Sequence, residues 1–598
     1  MSRPLTRAEV DPEQTWNLDD LFSSEAAWLR EVESIAAAVE TVARHEGRLH
    51  DVKSLLVCLD AQDALWARLQ PAYLYAYLRN ASDGTDPAAQ AALARVASLE
   101  AQVNAGCSFV NSEILLLPDG TIEAFLRDEP LLAVHRTSLE DALAVKPHML
   151  AAETEKVLSS LGEVLSAPFS TYSRSKSSDL RFAPFTGRDG AAHPNSFNLY
   201  EFTYESHPDV AVRRAAWKSF CEGLVAYKNT YAATLATEIT KNVVLARARR
   251  YPDAEHFLLQ DHKVSFEMYR NILDIVRSEV APHMRRYAQL RRRVLGLDHL
   301  LFCDIKAPLD PDYNPPLTFE EAGALIREAV QPMGEAYGEL IHNALTRRWV
   351  DRVDNVGKSS GAFCAPPYGH HPFILVTWAN SMRDAFVLAH ELGHAGHFAF
   401  AGQHQRFVNR EPAMPFIEAP SIMNEMLLAR HILARSQDQR MRRWIIMQVL
   451  GTYHHNFVTH LLEGLLQRQL YARAEAGEAV TASLLCTLKK GILEDFWGDA
   501  VRIDDDASLT WMRQPHYYFG LYSYTYSVGL IAATALAERA RNEGPQVFAD
   551  WLEVLKAGGT QKPLDLFKRV GLDLSTPDPI RSAVRYVGEL VDELERSF

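Results

Sequence analysis

Long runs of helix-forming residues are the feature that most constrains how this chain can fold. Ala, Leu and Glu combine with apolar residues at helical spacing in residues 25–43, 87–104, 266–297, 319–347, 440–477 and 530–555. Strand signals are few, and the clearest is the β-branched apolar run at 372–378. The sequence therefore predicts a mainly α fold with a small β-sheet.

Composition narrows the class of protein. The 598 residues are 47% hydrophobic and 23% charged, as in globular proteins with a sizeable core. A net charge of -14 argues against nucleic acid as the main partner, because phosphate binding needs a positive field. No apolar stretch approaches the roughly 18 residues of a membrane helix, and the first residues lack the apolar segment of a secretory signal. We expect a cytoplasmic protein that binds neither nucleic acid nor membranes, and composition leaves the oligomeric state open.

The cysteines exclude some metal and redox sites. Six cysteines lie far apart in the sequence and form no CxxC pair, which argues against a thiolate zinc finger or a thioredoxin-like centre. Their dispersion favours reduced thiols over a disulfide framework.

A loop-like stretch suggests where the chain divides. Gly, Pro and Asp cluster at 182–198, between helical regions. We predict an N-terminal helical region at 1–198 and a catalytic domain at 199–598. A second break at 307–316, with four prolines, is expected to be a loop within that domain.

The most informative motif is His390-Glu391-Leu392-Gly393-His394, an HExxH pattern. It lies in a segment with helical spacing at 381–400, with Asn380 or Ser381 available as N-cap. Residues four apart share one helix face, so both imidazoles can reach one tetrahedral zinc. Glu391, about 100° further round the helix, can contact a water molecule at the metal and accept its proton.

The alternative to metal binding is a polar, solvated helix face. The motif instead interrupts a strongly apolar segment, with 385–389 before it and 398–400 after it. Burying two histidines and a glutamate without partners would be costly. The context therefore favours zinc ligands.

A catalytic zinc site needs a third protein ligand. Glu418 lies 24 residues after His394 in the apolar context of 415–425, and 422–432 is expected to be helical. Glu425 would share the face of Glu418 if that helix starts early enough. It is a candidate to accept a hydrogen bond from the N–H of a ligand imidazole and so fix the direction of that ring. We expect His397 to pack against its neighbours or to support a metal ligand by a hydrogen bond, and not to bind the metal itself.

Three blocks together carry a family resemblance: AHELGHAGH at 389–397, FIEAPSIMNE at 416–425, and a block of His and Tyr at 516–529 that closes on a glycine. With these blocks the sequence resembles the thimet oligopeptidase and oligoendopeptidase F family of zinc metallopeptidases, more closely the oligoendopeptidase F branch. Weaker matches at 16–21, 357–363 and 571–574 extend the resemblance over nearly the whole chain.

The resemblance implies a large helical metallopeptidase with a deep substrate channel, one zinc ion per chain and short peptides as substrates. It implies that His390, His394 and Glu418 are the zinc ligands and Glu391 the general base. The N-terminal region at 1–198 would then form a wall of the channel.

The same resemblance implies that His516 and nearby tyrosines hold the substrate and stabilise the tetrahedral intermediate. We expect Tyr524 to be the catalytic tyrosine, with Tyr522 as second choice, and Tyr517 and Tyr522 to contact substrate. Peptide hydrolysis builds negative charge on the carbonyl oxygen, and Tyr hydroxyl and His imidazole are suitable donors to it. Most tyrosines of such a stripe are normally core residues, so we expect one or two of the five to be catalytic.

The predicted strand at 372–378 could have either of two positions in the sheet, and the sequence favours neither. As an edge strand it could pair with an extended peptide backbone, and as an internal strand it would only support the zinc helix. His370 and His371, in the preceding loop, are expected to be polar loop residues.

Three functions fit the sequence. The first is a zinc-dependent oligoendopeptidase that hydrolyses internal bonds of short, unstructured peptides by attack of a metal-activated water. The second is a metallo-exopeptidase on the same scaffold, although no obvious charged group flanks the motifs to capture a peptide terminus. The third is a catalytically silent peptide-binding protein, against which the intact HExxH, the distant glutamate and the His–Tyr block all argue.

Overall fold

The computed structural model describes residues 3, 5–188 and 190–598. The chain divides into two compact units, each assembled from segments that are distant in sequence. Unit 1 contains Met1–Pro147, Pro315–Ala434 and Leu536–Leu572, and unit 2 contains His148–Asn314, Arg435–Ala535 and Asp573–Phe598. Residue 198 is not a boundary between these units, and the proline-rich stretch 307–316, expected inside one domain, contains a crossing between them. The functional part of the predicted division, a channel wall followed by a catalytic region, stays a prediction.

Helices account for most of the ordered elements. In chain order they are α1 (Glu25–Ala38), α2 (Glu40–Ala43), α3 (Val52–Ser82), α4 (Pro87–Leu116), α5 (Thr121–Asp128), α6 (Arg136–Val145), α7 (Ala152–Ser160), α8 (Gly162–Arg174), α9 (Phe197–Leu199), α10 (Val210–Val225), α11 (Lys228–Ala248), α12 (Ala254–Leu259), α13 (Phe266–Ile275), α14 (Ala281–Val294), α15 (Phe319–Ala329), α16 (Glu335–Thr346), α17 (Met382–His404), α18 (Met414–Arg435), α19 (Gln439–Tyr453), α20 (His460–Glu475), α21 (Ala482–Trp497), α22 (Thr525–Glu543), α23 (Gln546–Ala557), α24 (Pro563–Arg569) and α25 (Pro577–Ser597). The strands are β1 (Phe185–Thr186), β2 (Ala192–His193), β3 (Val350–Asp351), β4 (Phe363–Ala365) and β5 (Phe373–Leu375). This content confirms the mainly α fold class.

The predicted helical stretches are helical, but turn residues interrupt some of them. The stretch 319–347 is split between α15 and α16 by a 3-10 turn at Gln331–Met333 and by Gly334, whose φ is 90°. The stretch 530–555 is split at Gly544, with φ 95°, between α22 and α23. A left-handed conformation suits glycine and ends a helix, so each break follows from the local sequence.

The apolar core of the N-terminal part of unit 1 is built mainly from α1, α3 and α4. Trp28, Leu69 and Val96 are buried within it, and the Trp28 indole donates to the carbonyl of Ala72 at 2.9 Å. Phe373 and Leu375 of β5 belong to the same core. The N-terminal helices of unit 1 are thereby joined to the sheet that precedes α17.

The three-stranded sheet has the order β3-β5-β4. β5 pairs in parallel with β3 and antiparallel with β4, with Ile374 opposite both Val350 and Cys364. The predicted strand at 372–378 is therefore the central strand, and the internal-strand reading holds for it. β4 occupies an edge of this sheet and packs beside α17.

Unit 2 contains a buried ionic cluster. Glu205 accepts hydrogen bonds from Arg513 at 2.8 Å and from Lys306 at 2.7 Å. Burial alone would raise the pKa of Glu205, but the charges of Arg513 and Lys306 outweigh it and lower that pKa to about 2. The carboxylate is thus held in its charged form inside the unit.

Two further expectations concern the chain as a whole. All six cysteines are free thiols, as predicted from their spacing. Among the described residues, no helix combines the length and the apolar character needed to cross a membrane.

Candidate active site

Helices α17 and α18 of unit 1 carry the predicted metal site. Ser381 is the N-cap of α17, its hydroxyl accepts from the backbone N–H of Asp384, and Asp384 completes a capping box. α17 packs against α15, α16 and α23 and against strands β4 and β5. α18 begins at Met414, so Glu418 and Glu425 lie on one continuous helix, as the prediction for Glu425 required.

The three predicted ligands lie together. Nε2 of His390 and Nε2 of His394 lie 3.4 and 3.6 Å from the same oxygen of Glu418, Oε2. The side chain of His394 is 11% exposed, and those of His390 and Glu418 are each 27% exposed. The three side chains are therefore largely but not completely buried.

These distances fit a metal ion better than direct hydrogen bonds. A tetrahedral ion with ligands at about 2.1 Å places its ligand atoms about 3.4 Å apart. The distances from Glu418 Oε2 to Nε2 of His390 and His394, 3.4 and 3.6 Å, are close to that ligand–ligand distance. A hydrogen bond between nitrogen and oxygen is usually shorter, at about 2.7–3.2 Å. Two imidazoles and one carboxylate are also the donor set typical of a catalytic zinc with an open fourth position.

Neighbours of the ligands fix their orientation. Nδ1 of His390 lies 2.7 Å from Oε1 of Glu425, so the ring donates there and presents Nε2 to the site. The hydroxyl of Ser421 donates to Oε2 of Glu418 at 3.0 Å. The expected contact between Glu425 and a ring N–H of a predicted ligand is present in the structure, at His390.

The two helices approach each other unusually closely at Gly393. A Cβ atom at this position would lie 2.5 Å from the carbonyl oxygen of Pro420 and 2.6 Å from Cα of Ser421. Asn424 of α18 donates to the carbonyl of Ala389 at 3.1 Å and spans the same contact. The absence of a side chain at 393 is therefore what allows Glu418 to reach the histidines.

Burial adjusts the charge state of Glu391 and of His394. Glu391 is 6% exposed, and burial raises its pKa to about 7. A carboxyl group with such a pKa can accept and return a proton near neutral pH. Burial likewise lowers the pKa of His394 to about 4, which keeps the ring in the neutral form that binds metals.

His397 has a packing role. It is fully buried, with its ring 5.0 Å from that of Phe398 and 5.4 Å from that of Phe416. Neither ring nitrogen has a hydrogen-bond partner among the described residues. This placement fits the packing alternative for His397.

The histidine–tyrosine block lies in unit 2. Nδ1 of His516 is 3.0 Å from Oε2 of Glu463, and the side chain of His516 is 13% exposed. The rings of Tyr522 and Tyr526, both partly exposed, lie 5.5 and 5.6 Å from the His516 ring. His516, Tyr522 and Tyr526 therefore form one cluster of potential donors.

Two of the predicted tyrosines lie in the interior of unit 2. Tyr524 is 0% exposed, and its hydroxyl is 2.9 Å from Nδ1 of His262. Tyr517 is 1% exposed, and its buried hydroxyl has no hydrogen-bond partner in the described part of the chain. These positions argue against the catalytic role predicted for Tyr524 and the substrate contact predicted for Tyr517, because neither hydroxyl is accessible.

Sequence reasoning missed Glu463 and His460. Nδ1 of His460 lies 3.0 Å from the same Glu463 oxygen that binds His516. A signal existed, since His460 and Glu463 are three residues apart within the apolar run HLLEGLL. Polar residues at i and i+3 in such a run share a buried helix face and need partners.

Comparisons with known proteins agree with this geometry. Residues 203–586 match the family model for peptidase family M3, and residues 113–182 match a model described as oligopeptidase F. Oligopeptidase PepF of Bacillus subtilis is 30% identical over 98% of this chain and 88% of its own length. Group B oligopeptidase PepB of Streptococcus agalactiae is 28% identical, over 98% of each chain.

Solved structures show the same fold. Oligoendopeptidase-F from Enterococcus faecium superimposes with a TM-score of 0.74 at 25% identity, covering 95% of this chain and 98% of that one. The family match and the similarity to the Bacillus subtilis relative each span more than half of the chain and confirm the resemblance predicted from the three motif blocks. The chain belongs to peptidase family M3.

Proposed function

We propose that this protein is a zinc-dependent oligoendopeptidase that hydrolyses internal bonds of short peptides. The observation that carries the proposal is the convergence of the His390 and His394 ligand atoms of α17 with that of Glu418 from α18. Glu391 lies in α17 between the two histidines. Relatives that bear the names oligopeptidase and oligoendopeptidase support the substrate class.

His390, His394 and Glu418 would hold the zinc ion. Zinc held there would act as a Lewis acid that polarises the scissile carbonyl and lowers the pKa of the attacking water. Glu391 accepts the proton of the attacking water and returns it to the leaving amine, a task suited to its pKa of about 7. Glu425 keeps the His390 ring in the orientation that this chemistry needs.

His516 and Tyr522 are the donors that we assign to the substrate. Charge develops on the carbonyl oxygen only as the tetrahedral state forms, so a donor placed there lowers the barrier instead of tightening ground-state binding. Tyr522 is preferred to Tyr524 because its side chain is partly exposed and lies beside His516, whereas the Tyr524 hydroxyl is buried against His262.

The test uses an internally quenched peptide with both termini blocked. We expect cleavage that a zinc chelator abolishes, and loss of activity of at least 100-fold in Glu391→Gln. Glu339→Gln, at an exposed glutamate of α16, serves as matched control and is expected to keep full activity.

Each competing function gives a different result. An exopeptidase would leave the doubly blocked peptide intact and cut one with a free terminus. A silent binding protein would bind peptide without turnover. Full activity in Glu391→Gln, or turnover that survives complete zinc removal, would contradict the proposed mechanism.

A further inference from the structure

A buried carboxylate in α20 connects three groups of unit 2. Oε2 of Glu463 lies 3.0 Å from Nδ1 of His460, 3.0 Å from Nδ1 of His516 and 3.1 Å from the hydroxyl of Ser523. The Glu463 side chain is 2% exposed. One oxygen therefore receives contacts from α20 itself and from the segment 516–523 that carries the proposed donors.

The distances distinguish this cluster from the metal site. The three contacts of Glu463 Oε2, at 3.0, 3.0 and 3.1 Å, have hydrogen-bond length. The corresponding separations among His390, His394 and Glu418 are 3.4 and 3.6 Å. The Ser523 hydroxyl donates to the same oxygen, as expected for a carboxylate that accepts several hydrogen bonds. The cluster is thus best described as one carboxylate accepting from two imidazoles and a serine.

Glu463 can play this part only as an anion, and its surroundings keep it charged. Burial alone would raise the pKa of Glu463, but attraction to His460 and hydrogen bonds from His460 and His516 outweigh it and hold that pKa well below its usual range. Lys489, itself buried, interacts electrostatically with this carboxylate. Charge-assisted hydrogen bonds of this kind are about twice as strong as neutral ones.

The consequence for His516 concerns its two ring nitrogens. Since Nδ1 donates to Glu463, Nδ1 carries a proton and the ring plane is fixed, and Nε2 is the nitrogen left for other contacts. If His516 also donates through Nε2, the ring is an imidazolium and Glu463 is its counter-charge.

We infer that Glu463 is a positioning residue of this peptidase, which holds His516 with Nδ1 protonated and Nε2 available to the substrate. The inference rests on the proposed function, because it gives His516 its contact with the reacting peptide. Glu463 itself touches neither substrate nor metal ligands in this scheme.

A purely structural role is the competing explanation, because the same hydrogen bonds join α20 to the segment 516–523. A double-mutant cycle separates the two explanations. A residue that acts through His516 loses its effect on kcat once His516 is gone, whereas a structural residue lowers activity in either background.

The experiment compares Glu463→Gln, His516→Ala and the double variant in the full-length zinc-loaded enzyme. We expect Glu463→Gln to lower kcat by about 10- to 100-fold with KM within about twofold, the usual size when a group that orients a functional histidine is lost. In the His516→Ala background the same change should alter kcat by less than about twofold. Glu238→Gln is the matched control, since Glu238 is also buried and hydrogen-bonded in unit 2, to Lys241 and Asn242, and should keep kcat.

Failure of the inference about Glu463 can be told apart from failure of the proposed function. Unchanged kcat in His516→Ala would remove His516 from the proposed mechanism. Full loss in His516→Ala together with near-normal kcat in Glu463→Gln would overturn this inference alone, as would equal losses from Glu463→Gln in both backgrounds. If Glu463→Gln does not fold, Glu463→Asp keeps the charge with a shorter reach and is put through the same cycle. Failure of both to fold would assign Glu463 to stability and reject the positioning role.

Discussion

The contact at Gly393 gives a prediction whose size follows from the structure. In Gly393→Ala the new Cβ would lie 2.5 Å from the Pro420 carbonyl oxygen and 2.6 Å from Cα of Ser421. Both are backbone atoms, so a change of side-chain rotamer cannot relieve the clash. Ordinary non-bonded contacts begin at about 3.5 Å, and the helices must therefore separate by about 1 Å.

That separation acts directly on the ligands. Glu418 moves with α18, so its distances from His390 and His394, now 3.4 and 3.6 Å, would grow towards about 4.5 Å, well beyond the roughly 3.4 Å edge of a tetrahedral zinc site. We expect Gly393→Ala to weaken zinc binding by at least about tenfold, and kcat/KM to fall with it. Overpacking should also lower the free energy of unfolding by about 1–3 kcal/mol.

The control lies in the same helix. Gly402 of α17 has no atom within 4 Å of the position that a Cβ would take. Gly402→Ala should therefore show only the gain in helix propensity, about 0.5–1 kcal/mol of added stability, with unchanged zinc affinity. The assay is zinc retention against a graded chelator, with thermal unfolding of the zinc-free proteins. A Gly393→Ala protein that holds zinc as tightly as the parent and gains stability like Gly402→Ala would refute the reasoning.

Three further predictions test other parts of the site and fold. Glu425→Gln removes the charged acceptor that orients His390, so zinc affinity in chelator competition should fall about 10- to 100-fold with little change in zinc-free stability, and unchanged affinity would count against the contact. Tyr522→Phe should lower kcat more than it raises KM, whereas Tyr524→Phe should keep kcat within about twofold in steady-state assays, and the reverse pattern would restore the original choice of Tyr524. Glu205 has a folded-state pKa of about 2 against an ordinary 4.5, so its contribution, up to about 3 kcal/mol, is present above pH 4.5 and is lost as pH falls towards 2. In acid unfolding titrations, Glu205→Gln should flatten the stability profile in that window, and an unchanged profile would rule out this source of acid sensitivity.

The sequence could indicate the residues of the candidate metal site because their signals are local. HExxH needs only helical geometry, and of the two N-cap candidates, Asn380 and Ser381, the structure uses Ser381. The helix expected at 422–432 begins earlier, at Met414, and therefore includes both Glu418 and Glu425. The choice between Tyr522 and Tyr524 could not be made from the sequence, because it depends on burial. The residue that binds the Tyr524 hydroxyl, His262, is 262 positions away in sequence.

The two compact units could not be predicted from the sequence, because they too depend on contacts between residues that are distant in the chain. Each unit is assembled from three segments separated by long stretches of the other unit. Turn and loop composition marks where a chain can bend, but it does not say which distant helices pack together after the bend. Residues 182–198 have the composition of a boundary, and yet strands β1 and β2 and the start of α9, which lie in this range, belong to unit 2.

Local rules are broken where the two ligand helices meet. Gly393 lies in the interior of α17, where glycine is less favourable than alanine by about 0.5–1 kcal/mol, and Pro420 lies inside α18, where proline usually costs about 3 kcal/mol. The backbones of these two residues lie close together, since a Cβ at Gly393 would lie 2.5 Å from the Pro420 carbonyl oxygen. Natural proteins carry locally unfavourable residues mainly at functional sites, because the function requires those residues there. Under the proposed function, that requirement is a helix separation small enough for Glu418 to share one zinc ion with His390 and His394. The unfavourable residues in the two helices are therefore a second indication of the site, beside the proposed ligands.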